Sequence, residues 1–204
     1  MLLLPLSHLW AFFAIMRRRY YPRSWGFKSP IPVLCVGNIH SGGSGKTPIV
    51  MEIVRGLSSL SPVVITRGYR GRLSGRGAKV DLSAPDGPLL FGDEAWMIAR
   101  RLGTPVYVGK NRIRNIQKVV DEKIHKLIVF DDGFQHLAVK KNLSIVCIHA
   151  DKSLEELFCL PLGELREPTS ALNAADACLL IDGRYCSLWQ AFLKSEFPGL
   201  SLFD

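Results

Sequence analysis

The 204-residue sequence has no Cys-x-x-Cys pair and no cysteine–histidine spacing of the kind that holds zinc. Its five cysteines, Cys35, Cys147, Cys159, Cys178 and Cys186, sit mostly within apolar runs. That excludes a zinc-ribbon or disulfide framework and fits buried, reduced thiols in a cytosolic chain. Internal repeats are absent, and so is the guanine-reading Asn-Lys-x-Asp signature, which argues against a GTP-driven switch. RNA-binding surfaces interleave aromatic rings with cations, but here Tyr69 alone interrupts the densest basic stretch. Acidic residues are few, 18 against 26 Lys and Arg, and the formal net charge of +8 asks for an anionic partner. His8, His125 and His149 stand alone and are given no chemical role.

The N-terminal apolar run is too short to span a bilayer. Met1 to Met16 (MLLLPLSHLWAFFAIM) would make a helix of about 24 Å against roughly 30 Å of hydrocarbon. A secretory signal carries its cations before the apolar stretch, whereas Arg17, Arg18, Arg19 and Arg23 follow it. This order predicts a helix lying in the cytoplasmic face of a membrane with its arginines at the headgroups; packing against the chain's own core is the alternative. The expected organisation is a membrane-associating helix over 1–23 and one α/β domain over 24–204.

The chemistry begins at Gly37 to Pro48, GNIHSGGSGKTP. A phosphate-binding loop, G-x-x-x-x-G-K-[ST], turns consecutive backbone N–H groups inward around phosphate oxygens, and its lysine and hydroxyl complete the site. Gly42, Gly43, Ser44, Gly45, Lys46 and Thr47 supply the nucleotide-binding candidates, while His40 stands where the pattern begins with glycine. The flanks agree with such a loop: Ile31 to Val36 is strand-sized and apolar, and Thr47 to Leu60 has helical spacing with Pro48 in its first turn. Further strand-sized runs lie at PVVIT (62–66), PVYV (105–108), KLIVF (126–130), LSIVCI (143–148) and ACLLI (177–181). Helical patterns at 93–102 and 112–123 separate some of them, which predicts a mostly parallel sheet with helices on both faces.

Three further segments fall where strands end. Arg67 to Lys79 (RGYRGRLSGRGAK) follows the PVVIT strand and is expected to be an exposed, anion-binding loop at the sheet's ligand edge. Asp131 and Asp132 end the KLIVF strand, where carboxylates can hold Mg²⁺ beside a nucleotide; Asp-Asp-Gly also suits a plain turn. Asp93, in Gly92-Asp93-Glu94, is either a helix N-cap worth about 1 kcal/mol or a base for an attacking hydroxyl.

Together GNIHSGGSGKTP, TRGYRG, GDEAWMIAR, DDGFQH and LPLGELREP resemble, in order and approximate spacing, the tetraacyldisaccharide 4'-kinase (lipid A 4'-kinase) family, from the N-terminal helix to about Asp182. That family also lacks the first loop glycine. The resemblance implies a P-loop kinase that transfers the γ-phosphate of ATP to the 4'-hydroxyl of tetraacyldisaccharide 1-phosphate at the cytoplasmic face of the bacterial inner membrane. It implies ATP and Mg²⁺, and no nucleic-acid or protein partner. By family motif, Lys46 and Asp93 are the catalytic residues, Thr47 with Asp131 or Asp132 holds Mg²⁺, and Arg67, Arg70 and Arg166 meet substrate phosphate or nucleotide. Gln135 and His136 complete a motif without an assigned role. Family members continue into a segment with an Asp-His-His motif that this sequence does not contain. The expectation is therefore a chain lacking the family's C-terminal part, with a nucleotide-binding, transfer-impaired remnant as the alternative and a P-loop switch protein as the other.

Overall fold

The computed structural model describes residues 3–21, 26–42 and 45–204, without the side chain of Glu156. Strands β1 (Val33–Gly37), β2 (Pro62–Thr66), β3 (Ala78–Lys79), β4 (Val106–Val108), β5 (Leu127–Asp131), β6 (Leu143–His149), β7 (Ala177–Ile181) and β8 (Ser201–Phe203) form an eight-stranded sheet. Its order is β3-β4-β2-β5-β1-β6-β7-β8. Every pairing is parallel except that of β3 with β4.

The strands read as unbroken apolar runs because both faces are covered. Along β1, Val33 and Cys35 point to one core while Leu34 and Val36 point to the other; β5 repeats this with Ile128 and Phe130 against Leu127 and Val129. On one face lie α2 (Lys46–Gly56), α3 (Gly87–Phe91) and α4 (Asp93–Leu102), burying Val50, Val54, Phe91 and Ile98. On the other, α5 (Arg112–Glu122) and α6 (Cys186–Glu196) bury Ile116, Val119, Trp189 and Leu193. A fully buried residue of this size contributes about 1.5–3 kcal/mol, so the inward stripe of each helix decides its docking. The four cysteines on strands or under loops are buried and all five are unpaired, as their apolar surroundings predict.

The expected strands are all present, within two residues at either end. The antiparallel edge strand β3, the short α3, helix α6 and β8 were not anticipated. Residues 67–79 are accordingly not one exposed loop: Gly68 and Gly71 are buried and the segment ends in β3.

Helix α1 (Leu3–Tyr20) corrects the expectation for Arg18, while Arg19 is exposed and Arg23 lies outside the described residues. Its narrow face of Ser7, Ala11, Ala14 and Arg18 follows helical spacing and meets the domain. Ser7 Oγ donates to Cys159 O at 2.7 Å, Trp10 Nε1 to Arg166 O at 2.9 Å and Arg17 Nη2 to Gln135 O at 2.6 Å. Arg18 turns inward to Glu167, 2.5 Å away, and lies over the Phe134 ring. A buried carboxylate needs a partner more than a headgroup does, so Arg18 serves the fold, while Arg17 stays exposed and holds the Gln135 carbonyl. Leu6, Leu9 and Phe12, each more than half exposed, face away from the body, while the similarly exposed Phe13 opens toward the cleft described below. No described helix is long and apolar enough to cross a membrane.

Candidate active site

Parallel pairing of β1 with β5 sets Val36 opposite Asp131, so the phosphate loop and the aspartate pair leave the sheet side by side at its C-terminal edge. Beyond β1 the chain is held by a second segment: Ser41 N donates to Glu164 O and Arg166 N to Ile39 O, both at 2.7 Å. This pairing brings the LREP segment against the loop. Gly45 has φ 66 and immediately precedes α2, and a Cβ there would lie 2.5 Å from Ile181 Cδ1. Gly42 also has positive φ, at 96. Lys46, Thr47 and Pro48 form the first turn of α2, where N–H groups have no intrahelical partner and face an anion readily. Gly43 and Ser44 lie outside the described residues.

His40 does not disrupt this. It is buried, its ring edge-on to Trp189 at 6.1 Å, beneath the loop. Burial pushes its pKa down to about 4.

The two aspartates differ sharply. Asp131 is buried and accepts a hydrogen bond from Thr66 Oγ1 at 3.0 Å. Burial, reinforced by the neighbouring Asp132, raises its pKa to about 6. Asp132 turns out of the strand at φ 50 and opens into the cleft. Arg166 Nη1 reaches both its oxygens, at 3.1 and 3.0 Å, and Lys46 Nζ lies 3.4 Å from Oδ1. Burial opposes its charge, yet Lys46 and Arg166 outweigh that and hold its pKa below the ordinary value. Arg112 Nη2 donates to its backbone oxygen at 2.9 Å.

Arg67 and Arg70, which follow β2, and Asp93, at the head of α4, line the same cleft. Gly92, not Asp93, occupies the N-cap position of α4, and no side chain caps that helix. The capping role proposed as an alternative for Asp93 is therefore not taken, and its exposed carboxylate opens into the cleft. The cleft measures about 1300 Å³ and is lined further by Trp10, Phe13, Lys110 and Arg112, so it joins an apolar helix to a cationic floor.

Every described candidate except Asp131 lines this one cleft; Asp131 lies beneath it. Hard oxygen donors suited to Mg²⁺ are present in Thr47 and Asp132. No group of three or more His, Cys, Asp or Glu forms a cage among the described residues. An ion there needs phosphate oxygens and water to complete its shell, the usual arrangement for Mg²⁺.

Residue types alone did not single out Thr66, Lys110, Arg112 or Glu167. Their position gave a signal: Thr66 ends β2, and Lys110 and Arg112 follow β4 at the ligand edge. Gln135 acquires a role here, donating to Asn38 O at 2.7 Å and to Glu167 Oε2 at 3.3 Å, which clips the DDGFQH turn to the loop and the LREP segment.

A family model described as tetraacyldisaccharide-1-P 4'-kinase matches residues 1–194. The tetraacyldisaccharide 4'-kinase of Halorhodospira halophila is 38% identical over 178 residues, 85% of this chain and 54% of that protein. That of Legionella pneumophila is 35% identical over 184 residues, 89% and 56% respectively. The chain thus spans about half the length of the curated relatives it matches. A crystal structure of an "apo" form of LpxK from Aquifex aeolicus, in complex with ATP, superposes with a TM-score of 0.82 at 28% identity, covering 98% of this chain and 62% of that one. The order of motifs, the cleft they build and these matches agree that the chain belongs to the tetraacyldisaccharide-1-P 4'-kinase family.

Proposed function

We propose that this chain carries the nucleotide and acceptor sites of a lipid kinase that transfers the γ-phosphoryl group of ATP to the 4'-hydroxyl of tetraacyldisaccharide 1-phosphate. One observation carries the reading: a phosphate-loop lysine with its strand-end carboxylate, and a second wall bearing Asp93 and two arginines, line a single cleft rimmed by an apolar helix.

Phosphoryl transfer needs positioning and charge neutralisation more than covalent help. The backbone N–H groups at the head of α2 and the Lys46 ammonium face the β- and γ-phosphates. Lys46 leaves Asp132 for the incoming anion, and Arg166 keeps Asp132 ionised and aimed into the cleft. Thr47 and Asp132, with Asp131 behind, would hold Mg²⁺, which when bound neutralises phosphate charge. Asp93 accepts the 4'-hydroxyl proton as that oxygen bonds to the γ-phosphorus and the bond to the β-phosphate oxygen breaks, releasing ADP. Arg67, Arg70, Lys110 and Arg112 bind the anionic groups of both substrates. The exposed Leu6, Leu9 and Phe12 of α1 lie on a membrane surface at the cytoplasmic face of the inner membrane, with Phe13 between them and the cleft, so that an acylated sugar reaches the cleft without leaving the bilayer.

The test is transfer of labelled γ-phosphate from ATP to tetraacyldisaccharide 1-phosphate in mixed detergent micelles, with Lys46→Ala as control. Lysine-dependent product supports the proposal. A protein that binds Mg-ATP and yields no product refutes transfer by this chain and leaves a nucleotide-binding role.

A further inference from the structure

The Arg67 to Gly71 loop and the head of α4 touch through glycine backbone. A Cβ on Gly71 would lie 2.5 Å from Phe91 C, 2.7 Å from Gly92 N and 2.8 Å from Phe91 O. One on Gly92 would lie 2.5 Å from Tyr69 O, and one on Gly68 2.9 Å from Phe91 O. Each contact is with main chain, which cannot swing aside as a side-chain tip can. The loop itself is tightened by a hydrogen bond from Gly71 N to Gly68 O at 3.0 Å, and α4 by one from Trp96 N to Gly92 O of the same length. Two motifs far apart in sequence, RGYRG and GDE, therefore form one unit at van der Waals distance. Arg67 and Arg70 stand on one side of the seam and Asp93 on the other, all opening into the cleft.

We propose that this seam is the spacer that fixes Asp93 relative to the loop arginines, and that Gly71 is a positioning residue for phosphoryl transfer. The proposal rests on the kinase reading above. Gly71 is the informative position because its φ of −70 and ψ of 133 suit any residue, so an added methyl acts as a wedge without backbone strain. Gly68 and Gly92, at φ +67 and +90, would add that strain to the overlap. Gly75 is a built-in control: it lies in the same basic segment at φ −70, and nothing stands within 4 Å of its Cβ position. A shift of about 1 Å in a reacting group costs up to about a hundredfold in rate.

Gly71→Ala and Gly75→Ala are to be compared for kcat, KM for ATP and amide hydrogen exchange. The expected result is a fall in kcat of about tenfold to a hundredfold for Gly71→Ala, with KM for ATP unchanged and exchange rising together over 67–71 and 91–96. Gly75→Ala should match the parent on all three. Parental kcat and exchange in Gly71→Ala overturn the proposal, and so does a fall in kcat matched by an equal loss of ATP affinity and of thermal stability. Should the parent protein make no product, the kinase reading fails separately, and exchange decides on the seam: separate responses of the two segments reject it. Should Gly71→Ala not fold, exchange in the parent protein still decides, since a seam requires the amides of 68–71 and 92–96 to open as one unit.

Discussion

The two walls of the cleft hold their charges by different means. On the wall built by β1 and β5, Lys46, Asp132 and Arg166 are already partnered, 3.0 to 3.4 Å apart. On the wall built by the basic loop and α4, Arg67, Arg70 and Asp93 have no ion-pair partner among the described residues. They are aimed by a glycine seam. A paired wall is organised before any ligand arrives, so that on the proposed reading Lys46 alone has to exchange its partner for the incoming anion. An unpaired wall keeps its groups available to a substrate that brings its own charge, and its precision rests on backbone contact. Such a division suits a site where one face always meets the same triphosphate and the other receives an acceptor.

Removing the acceptor-side carboxylate is expected to have the largest effect. Asp93→Asn, the change at the proposed base, should lower kcat by about 10² to 10⁴, the usual contribution of a general base, with ATP affinity unchanged because Asp93 stands on α4 and not on the phosphate loop. Loss of ATP affinity measured by equilibrium binding would erase the distinction between the walls. Lys46→Ala, on the paired wall, should lower kcat by about 10² to 10³ and weaken ATP as well, since in the proposed mechanism its charge faces the phosphates before and during transfer. Unaltered ATP binding in that variant would break the comparison from the other side.

Much of this was legible in the residues. Strands buried on both faces write themselves as apolar runs, so the parallel core and the strand ends bearing Thr66, Asp131 and Asp132 followed from pattern. Elements that evade pattern were short or tertiary in origin: β3 is two residues long, and α3 has five. The inward turn of Arg18 could not be read either, because it depends on Glu167, 149 positions away. Nor could the seam, since Gly71 and Gly92 gain their meaning only when β2 and α3 bring them together.

Arg18 ties α1 to the paired wall, and its removal tests whether that helix supports the site or only covers it. Glu167 is almost fully buried, and without Arg18 its remaining side-chain donor among the described residues is Gln135 at 3.3 Å. Leaving one member of such a pair alone costs about 3 kcal/mol, a fall in Tm of roughly 10 °C for a chain of this size. Arg18→Met with Glu167→Gln should recover most of that, because the cost lies in the unpaired charge. If the single and double variants melt alike, the pair contributes packing alone.

The smallest expected effect concerns His40, on which the paired wall rests. Its pKa is about 4 in the fold against 6.5 in the unfolded chain, chiefly through burial. Between those values the unfolded chain binds more protons, so stability is present above pH 6.5 and is lost as pH falls toward 4. His136, also at about 4 through burial and the nearby Arg112, pulls the same way. Each should withdraw about 2 kcal/mol by pH 5. Thermal unfolding of the parent protein should therefore fall between pH 7 and pH 5, and His40→Gln should flatten part of that slope while lowering the plateau at pH 7 through lost contact with Trp189. An equally steep slope in His40→Gln would mean that His40 is solvated in the folded state, and that the phosphate-loop wall sits on a wetter base than the packing of Trp189 against it indicates.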